Sequence, residues 1–289
     1  MLAEIRELGF DHAELGHGIL LTLVEGIQKA VAAGEIKISS LHNFCPLPVG
    51  VMHASPDYYL PSSLRESERQ LAVRHTLRTI DFAATLGAKA VVLHLGFVGM
   101  RNRTRKLITL FTKGRAETPR FFRRRDKALL VRERKRRPYL DQVFRTLDEL
   151  APRARDAGVR LGLETRLRLE EIPDSDETAE LLARFGPETV AYWHDIGHAQ
   201  IKENLGITTH EFLLKRFVNR TAGMHLQDCA PPEYDHLPPE LGTFDFQRLA
   251  PFVKPDMVLA WEIHPQTPAE HIGENFKRAH ETLRRNANT

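Results

Sequence analysis

Apolar positions along the chain follow two alternating rhythms. Short runs rich in aliphatic and β-branched residues read as strands: "HAELG" (12–16), "KISSLH" (37–42), "AVVLHLG" (90–96), "VRLGLET" (159–165), "VAYWHDIG" (190–197), "GMHLQD" (223–228) and "MVLAWEIHP" (257–265). Between them, "SERQLAVRHTLRTIDFAATLGA", "YLDQVFRTLDELAPRARDAG" and "PAEHIGENFKRAHETLRR" carry the three- and four-residue spacing of amphipathic helices. Gly87 and Gly158 stand just ahead of strands, where a helix stops most readily. Repeated strand–helix units without a dinucleotide-type glycine loop predict a parallel sheet, most economically a (β/α) barrel. The length of 289 residues suits one barrel-sized domain as well as two smaller ones. No repeat or low-complexity linker divides the chain, so a single domain over 1–289 is expected.

The strand ends change this picture from architecture to chemistry. In "YWHDIGHA" (192–199), His194, Asp195 and His198 crowd the end of one apolar run. One histidine there is most often a hydrogen-bonded core residue. Taken together, however, the predicted strands end in His42, His94, Glu164, Asp195, His225 and Glu262. The last four are 31, 30 and 37 residues apart, each close to one strand–helix unit. In a parallel barrel the strands' C-terminal ends form a ring, so such side chains can converge on one spot. Converging carboxylates repel unless they share a proton or hold a cation. Carboxylates mixed with imidazoles suit Mn²⁺, Zn²⁺, Fe²⁺ or Co²⁺ better than Ca²⁺.

Charge adds a second feature. Net charge is +3, yet residues 101–137 hold 16 Lys/Arg against three acids, leaving 25 basic and 35 acidic residues elsewhere. His94 and Glu164 are 70 residues apart; without this 37-residue segment they would be 33 apart, again one unit. The segment therefore reads as a basic insertion in one βα loop, with at least one helix near "FFRRRDKALLVRERKRR", beside the mouth of the barrel. Such a block attracts phosphates, nucleic acid, anionic membrane or an acidic partner surface. It reads equally as a solvated helical excursion neutralised by the acidic body. The two cysteines, Cys45 and Cys229, are too few for a disulfide framework and read as buried thiols. With no signal-peptide layout and no 18-residue apolar run, a cytoplasmic protein off the membrane is expected.

The motifs "GLETR", "YWHDIGHA", "GMHLQD" followed by "DHLPPELGTFDF", and "AWEIHP" together resemble the xylose-isomerase-like TIM barrel superfamily. That group holds sugar and sugar-phosphate isomerases and epimerases, and nucleases of the endonuclease IV type. The resemblance runs from about residue 5 to 280, outside the insertion. It implies a (β/α)8 TIM barrel and one divalent metal held by Glu164, Asp195, His225 and Glu262. Mn²⁺ or Zn²⁺ is expected first; Co²⁺, Fe²⁺ or Mg²⁺ would also fit. It implies that Glu164 and Glu262 exchange a proton with substrate through an enediolate, and that His198 contacts a substrate oxygen. The expected enzyme is thus a metal-dependent isomerase or epimerase of carbohydrate metabolism, acting on a small sugar or sugar phosphate.

The alternative is a metal-dependent phosphodiesterase acting on nucleic acid. In the nuclease branch, the positions of His42 and His94 hold a further metal with Glu164 as bridge, and those of His198 and His236 serve another. The Asp expected two residues before the last His is replaced by Tyr234, with Asp235 directly beside His236. Histidines at the positions of His42 and His94 also occur among the sugar enzymes. His42, His94, His198 and His236 are therefore expected to bind substrate, and a second metal at His42, His94 and Glu164 stays open. Nucleic acid binding through 101–137 stays open without being favoured, as does a homo-oligomer. Trp193 reads as packing or as a sugar-facing wall. Glu240 stands where relatives usually carry Gly, so its turn is expected to differ. His53, His75, His210 and His264 read as loop or helix-surface histidines. Finally, residues 2–8 read as the end of a helix and "HAELG" as a family barrel's second strand. Seven strands are counted, and the first is expected to be absent, through a late start or a truncation.

Overall fold

The computed structural model describes residues 2–284. In chain order the elements are α1 (Leu2–Glu7), β1 (His12–Leu15), α2 (Val24–Ala32), β2 (Lys37–His42), α3 (Glu66–Thr85), β3 (Ala90–Leu93), α4 (Thr104–Thr112), α5 (Pro119–Ala157) and β4 (Arg160–Glu164). They continue with α6 (Ser175–Arg184), β5 (Val190–Asp195), α7 (Ile196–Asn204), α8 (His210–Phe217), β6 (Thr221–Leu226), β7 (Asp228–Ala230), β8 (Tyr234–Leu237), β9 (Val258–Trp261) and α9 (Glu274–Arg284). One sheet runs in the order β1-β2-β3-β4-β5-β6-β9, the strand order of a TIM barrel with seven strands. Among the described residues no strand precedes His12, and residues 2–7 are helical, as read from the sequence.

Two compact units share the chain. The first comprises 1–97, 138–164 and 176–192. Within it β1 pairs with β2, β2 with β3 and β3 with β4, all parallel. Leu41, Val91, Val92, Leu161 and Leu163 are fully buried on these strands, as are Ile80 and Ala83 of α3 and Leu147 of α5. Each such aliphatic side chain contributes about 1.5–3 kcal/mol by leaving water. The turn that ends α3 depends on Gly87, whose φ of +70° is a left-handed conformation open to glycine at little cost.

The second unit comprises 98–137, 165–175 and 193–289. Here β6 pairs with β9 in parallel, and β7 with β8 makes a separate antiparallel hairpin. The basic insertion is helical, as expected, but it does not stand apart. Leu107, Ile108 and Leu110 of α4 and Phe121 and Ala128 of α5 are buried with Leu169 and with Ile201 and Leu205 around α7. Glu170 caps the start of α4: its carboxylate accepts from the Thr104 backbone N–H (3.1 Å) and hydroxyl (2.7 Å). Buried Arg132 on α5 donates to Asp174 and, at 2.8 Å, to the Glu171 carbonyl.

One boundary differs from the sequence reading. The insertion helix and the helix expected from Tyr139 onward are a single element of 39 residues that passes through Pro138. A proline inside a helix forfeits a backbone hydrogen bond and argues locally for a break. The apolar residues on both sides, Ala128 before and Leu140 and Val143 after, are completely buried and carry the helix through.

Candidate metal centre

In the first unit, the parallel register sets His42 opposite Val92 and Leu93 opposite Leu163, so His42, His94 and Glu164 leave three adjacent strands at one end. His94 Nε2 lies 2.7 Å from Glu164 Oε2, and His42 Nε2 lies 3.5 Å from the same oxygen. The two rings meet edge to face at 4.9 Å. His94 Nδ1 faces the Asp57 carboxylate at 3.0 Å, and His42 Nδ1 faces the Asn43 carbonyl at 3.2 Å. Both Nδ1 positions face acceptors, which favours the tautomer with Nδ1–H and a lone pair on Nε2, toward Glu164. Metal–ligand bonds of 2.0–2.1 Å in tetrahedral array put donor atoms about 3.3 Å apart. The separations of 2.7 and 3.5 Å bracket that value, and all three donor atoms lie within 4.8 Å of one another. This donor set fits a divalent metal.

In the second unit, Asp195 closes β5, His225 lies next to the end of β6, and Glu262 directly follows β9. The Glu262 N–H donates to the Leu226 carbonyl at 2.9 Å and so extends the β6–β9 ladder by one residue. His225 Nδ1 stands 3.5 Å from Asp195 Oδ2 and 2.9 Å from Glu262 Oε2, again metal-ligand spacing. His225 and Asp195 are completely buried. Asp195 also caps α7, accepting from the His198 N–H at 2.7 Å, and accepts from Gln227 Nε2 at 3.0 Å.

A second layer orients these groups. Gln227 Oε1 accepts from the His236 N–H at 2.5 Å, so one amide ties Asp195 to the β7–β8 hairpin. His236 Nδ1 lies 3.0 Å from Asp235, and its Nε2 lies 3.7 Å from Glu262 Oε1. Burial disfavours charge on His236, but the Asp235 and Glu262 carboxylates outweigh it and lift the imidazole to about 11. His236 is held at a φ of +56°, a conformation uncommon for a residue with a side chain. Gly197 is needed in "DIGH" for space: a Cβ there would lie 2.4 Å from Gln227 Oε1. His198 Nδ1 faces the Thr165 carbonyl at 2.9 Å, and its ring is 6.3 Å from that of His236.

The remaining histidines and Trp193 sort themselves by burial. Trp193 is fully buried, with its ring edge-on to His225 at 5.2 Å and pressed against the Cα of Gly223, which is a packing position. His194 points away from Asp195 and meets His210 at 3.0 Å. His210 is thus a correction to its surface reading: it is 1% exposed, because α8 lays it against His194 and Phe244. His264 is exposed, beyond the end of β9. Both cysteines are free and buried. Gln227, Asp57 and Asp235 had no assigned role in the sequence. Only the position of Gln227 within "GMHLQD" and of Asp235 beside His236 could have signalled them.

A family model described as the xylose isomerase-like TIM barrel matches residues 2–286. A curated relative, the uncharacterized protein y4fM of Sinorhizobium fredii (strain NBRC 101917 / NGR234), is 24% identical over 259 residues, covering 85% of this chain and 73% of its own. Among solved structures, a D-tagatose 3-epimerase-like protein superposes with a TM-score of 0.69 at 19% identity, covering 99% of this chain and 92% of its own. An L-ribulose 3-epimerase gives 0.66 at 16% identity (99% and 90%), and the 3-keto-D-glucoside 4-epimerase YcjR of E. coli gives 0.65 at 16% (96% and 92%). At these identities the structural likeness speaks for the fold.

Proposed function

The chain belongs to the xylose isomerase-like TIM barrel family, and from that premise we propose that it is a divalent-metal-dependent isomerase or epimerase of sugars or sugar phosphates. The observation that carries the reading is the position of Glu262. One of its oxygens lies 2.9 Å from His225 Nδ1, in the ligand set, while the other faces His236 Nε2 at 3.7 Å. A carboxylate divided in this way can hold a ligand position with one oxygen and exchange a proton with the other.

In this reading Glu164, Asp195, His225 and Glu262 hold one ion, Mn²⁺ or Zn²⁺ by donor chemistry. A divalent ion there would polarise a substrate carbonyl and make the proton on the neighbouring carbon easier to remove. The chain's own residues do the rest. Glu164 and Glu262 take that proton and return it through an enediolate, giving inversion at the same carbon or isomerisation at its neighbour. His198, whose Nδ1 is occupied by the Thr165 carbonyl, offers Nε2 to a substrate oxygen. His236 stands beside Glu262 as a cationic partner for a developing negative charge. His42 and His94 bind a second oxygen of the sugar, or a second ion with Glu164. Trp193 acts through packing. Among the described residues no helix is long and apolar enough to cross a membrane, and a cytoplasmic setting suits a sugar-metabolising enzyme.

The test pairs metal content by elemental analysis with exchange of solvent deuterium into a panel of ketoses. Wild-type protein should carry metal and exchange at least one sugar. Glu262→Gln should keep much of the metal through its amide oxygen yet lose at least roughly 10³-fold in turnover, since an amide cannot accept a proton from carbon. Cleavage of an abasic-site duplex by the wild type, with no deuterium in any sugar, would replace this reading with the phosphodiesterase.

A further inference from the structure

The basic insertion has no task in the chemistry above. Its buried side is fully engaged: Phe121, Ala128 and Arg132 of α5 face the unit's interior. Its outer side carries Arg120, Arg123, Arg124, Lys127 and Arg134, all exposed. These occur at i, i+3, i+4, i+7 and i+14, which places them on one face of the helix. At 1.5 Å rise per residue the row is about 21 Å long.

No acid among the described residues pairs directly with this row. Acids do answer other cations of the insertion: Glu233 pairs with Arg105, Asp174 with Arg132 and Glu133 with Arg136. None of the five residues in the row forms an ion pair or side-chain hydrogen bond with a described residue. Like charges at i, i+3 and i+4 destabilise a helix, so a merely solvated face would intersperse acids. The two acids present, Asp126 and Glu133, lie on the flank instead, among the exposed Phe122, Leu129 and Leu130. That arrangement also decides between polyanions. A membrane-binding helix needs an uninterrupted apolar face bordered by cations, and here carboxylates break the apolar patch. A straight single-sign row matches a phosphate backbone, which presents a charge about every 3.4 Å along each strand of a duplex. No aromatic residue stands within the row to stack on a base.

We propose that the outer face of α5 binds double-stranded nucleic acid through its phosphates, without reading sequence. The surface is independent of the sugar chemistry proposed above, so either can fail alone. Five phosphate contacts predict a log–log salt slope of about −4.5, a loss of roughly 500-fold in affinity between 50 and 200 mM salt. The experiment measures fluorescence anisotropy of a labelled 20-base-pair duplex titrated with the full chain across that range. The quadruple variant Arg120→Gln/Arg123→Gln/Arg124→Gln/Lys127→Gln should lower the slope to about −1. The variant Arg74→Gln/Arg78→Gln, which removes two exposed cations from α3, should bind as the wild type does. Helix content and melting temperature establish that each variant is folded, and relief of like-charge repulsion should keep the quadruple variant at least as stable. Three results would each overturn the proposal: no duplex binding at 50 mM salt, an unchanged slope in the folded quadruple variant, or capture by phosphatidylserine vesicles but not by duplex.

Discussion

Two buried histidine pairs occur among the described residues, His42 with His94 in the first unit and His194 with His210 in the second. Both involve a residue at or near the end of a strand, and both bring the rings to about 5 Å. The surroundings separate them. His42 and His94 share the Glu164 carboxylate, and each has its Nδ1 facing an acceptor. His194 and His210 face each other, and His210 also packs against Phe244. Burial pushes His194 well below the ordinary imidazole range and His210 down to about 3. In the reading proposed above, the first pair presents lone pairs to a cation or substrate, whereas the second fills a core. Burial and histidine content do not make a ligand site; the nearby acceptors do.

Substitution at the strand ends gives the largest effects and can break this comparison. His225→Ala removes a ligand of the proposed ion with nothing to replace it, and metal retention should weaken by more than roughly 100-fold, beyond the usual loss for an outer-shell partner. His42→Ala should leave one bound ion and measurable turnover if the pair binds substrate. If it holds a second metal, elemental analysis should show one ion fewer and activity should nearly vanish. His210→Gln should change neither quantity; an altered metal content there would mean the second pair is no mere core element.

Acid provides the next largest effect. A histidine at about 3 in the folded chain and about 6.5 when unfolded leaves the unfolded state binding more protons between those values. Stability is therefore intact above pH 6.5 and is lost as pH falls toward 3. At pH 5 the loss from His210 alone is about 2 kcal/mol. Urea unfolding at pH 7.5 and pH 5 should show this difference in the wild type. In His210→Gln the difference should shrink by about that amount, whatever the variant costs at neutral pH. An unchanged difference would place the acid sensitivity elsewhere.

Much of this was legible in the sequence because it is local. The strand at 37–42 falls where its pattern predicts, and His42, Glu164 and Asp195 do end their strands. What escaped depends on residues distant in sequence. The partner of His194 is 16 residues away, that of His94 is 37, and that of Asp195 through Gln227 is 32. No periodicity encodes those pairings. The loop that follows the β7–β8 hairpin escaped for a similar reason: it is organised by Asp228, 12 to 16 residues earlier, which accepts from the backbone N–H groups of Glu240, Gly242 and Phe244. Only the presence of Glu240 at a glycine position hinted at the geometry of that loop.

That residue gives the smallest effect, and it sharpens the contrast between the two units. Both non-glycine residues with positive φ, His236 and Glu240, belong to the second unit; among the described residues the first unit has none. Glu240 has φ +74° because its N–H must reach Asp228 Oδ2 at 2.9 Å. A side chain in that conformation costs about 1–2 kcal/mol. Glu240→Gly removes the cost and keeps the backbone hydrogen bond. Against this stand glycine's extra freedom in the unfolded chain, about 0.5–1 kcal/mol, and the pair with Arg278. That pair is more than half exposed on both sides and contributes little. The net gain should be about 0.5 kcal/mol, raising the melting temperature by about 1–2 °C. Metal content and turnover should not change, since Gln227 and His236 keep their contacts. A lower melting temperature in Glu240→Gly would show that the Arg278 pair, and not Asp228, holds this loop in place.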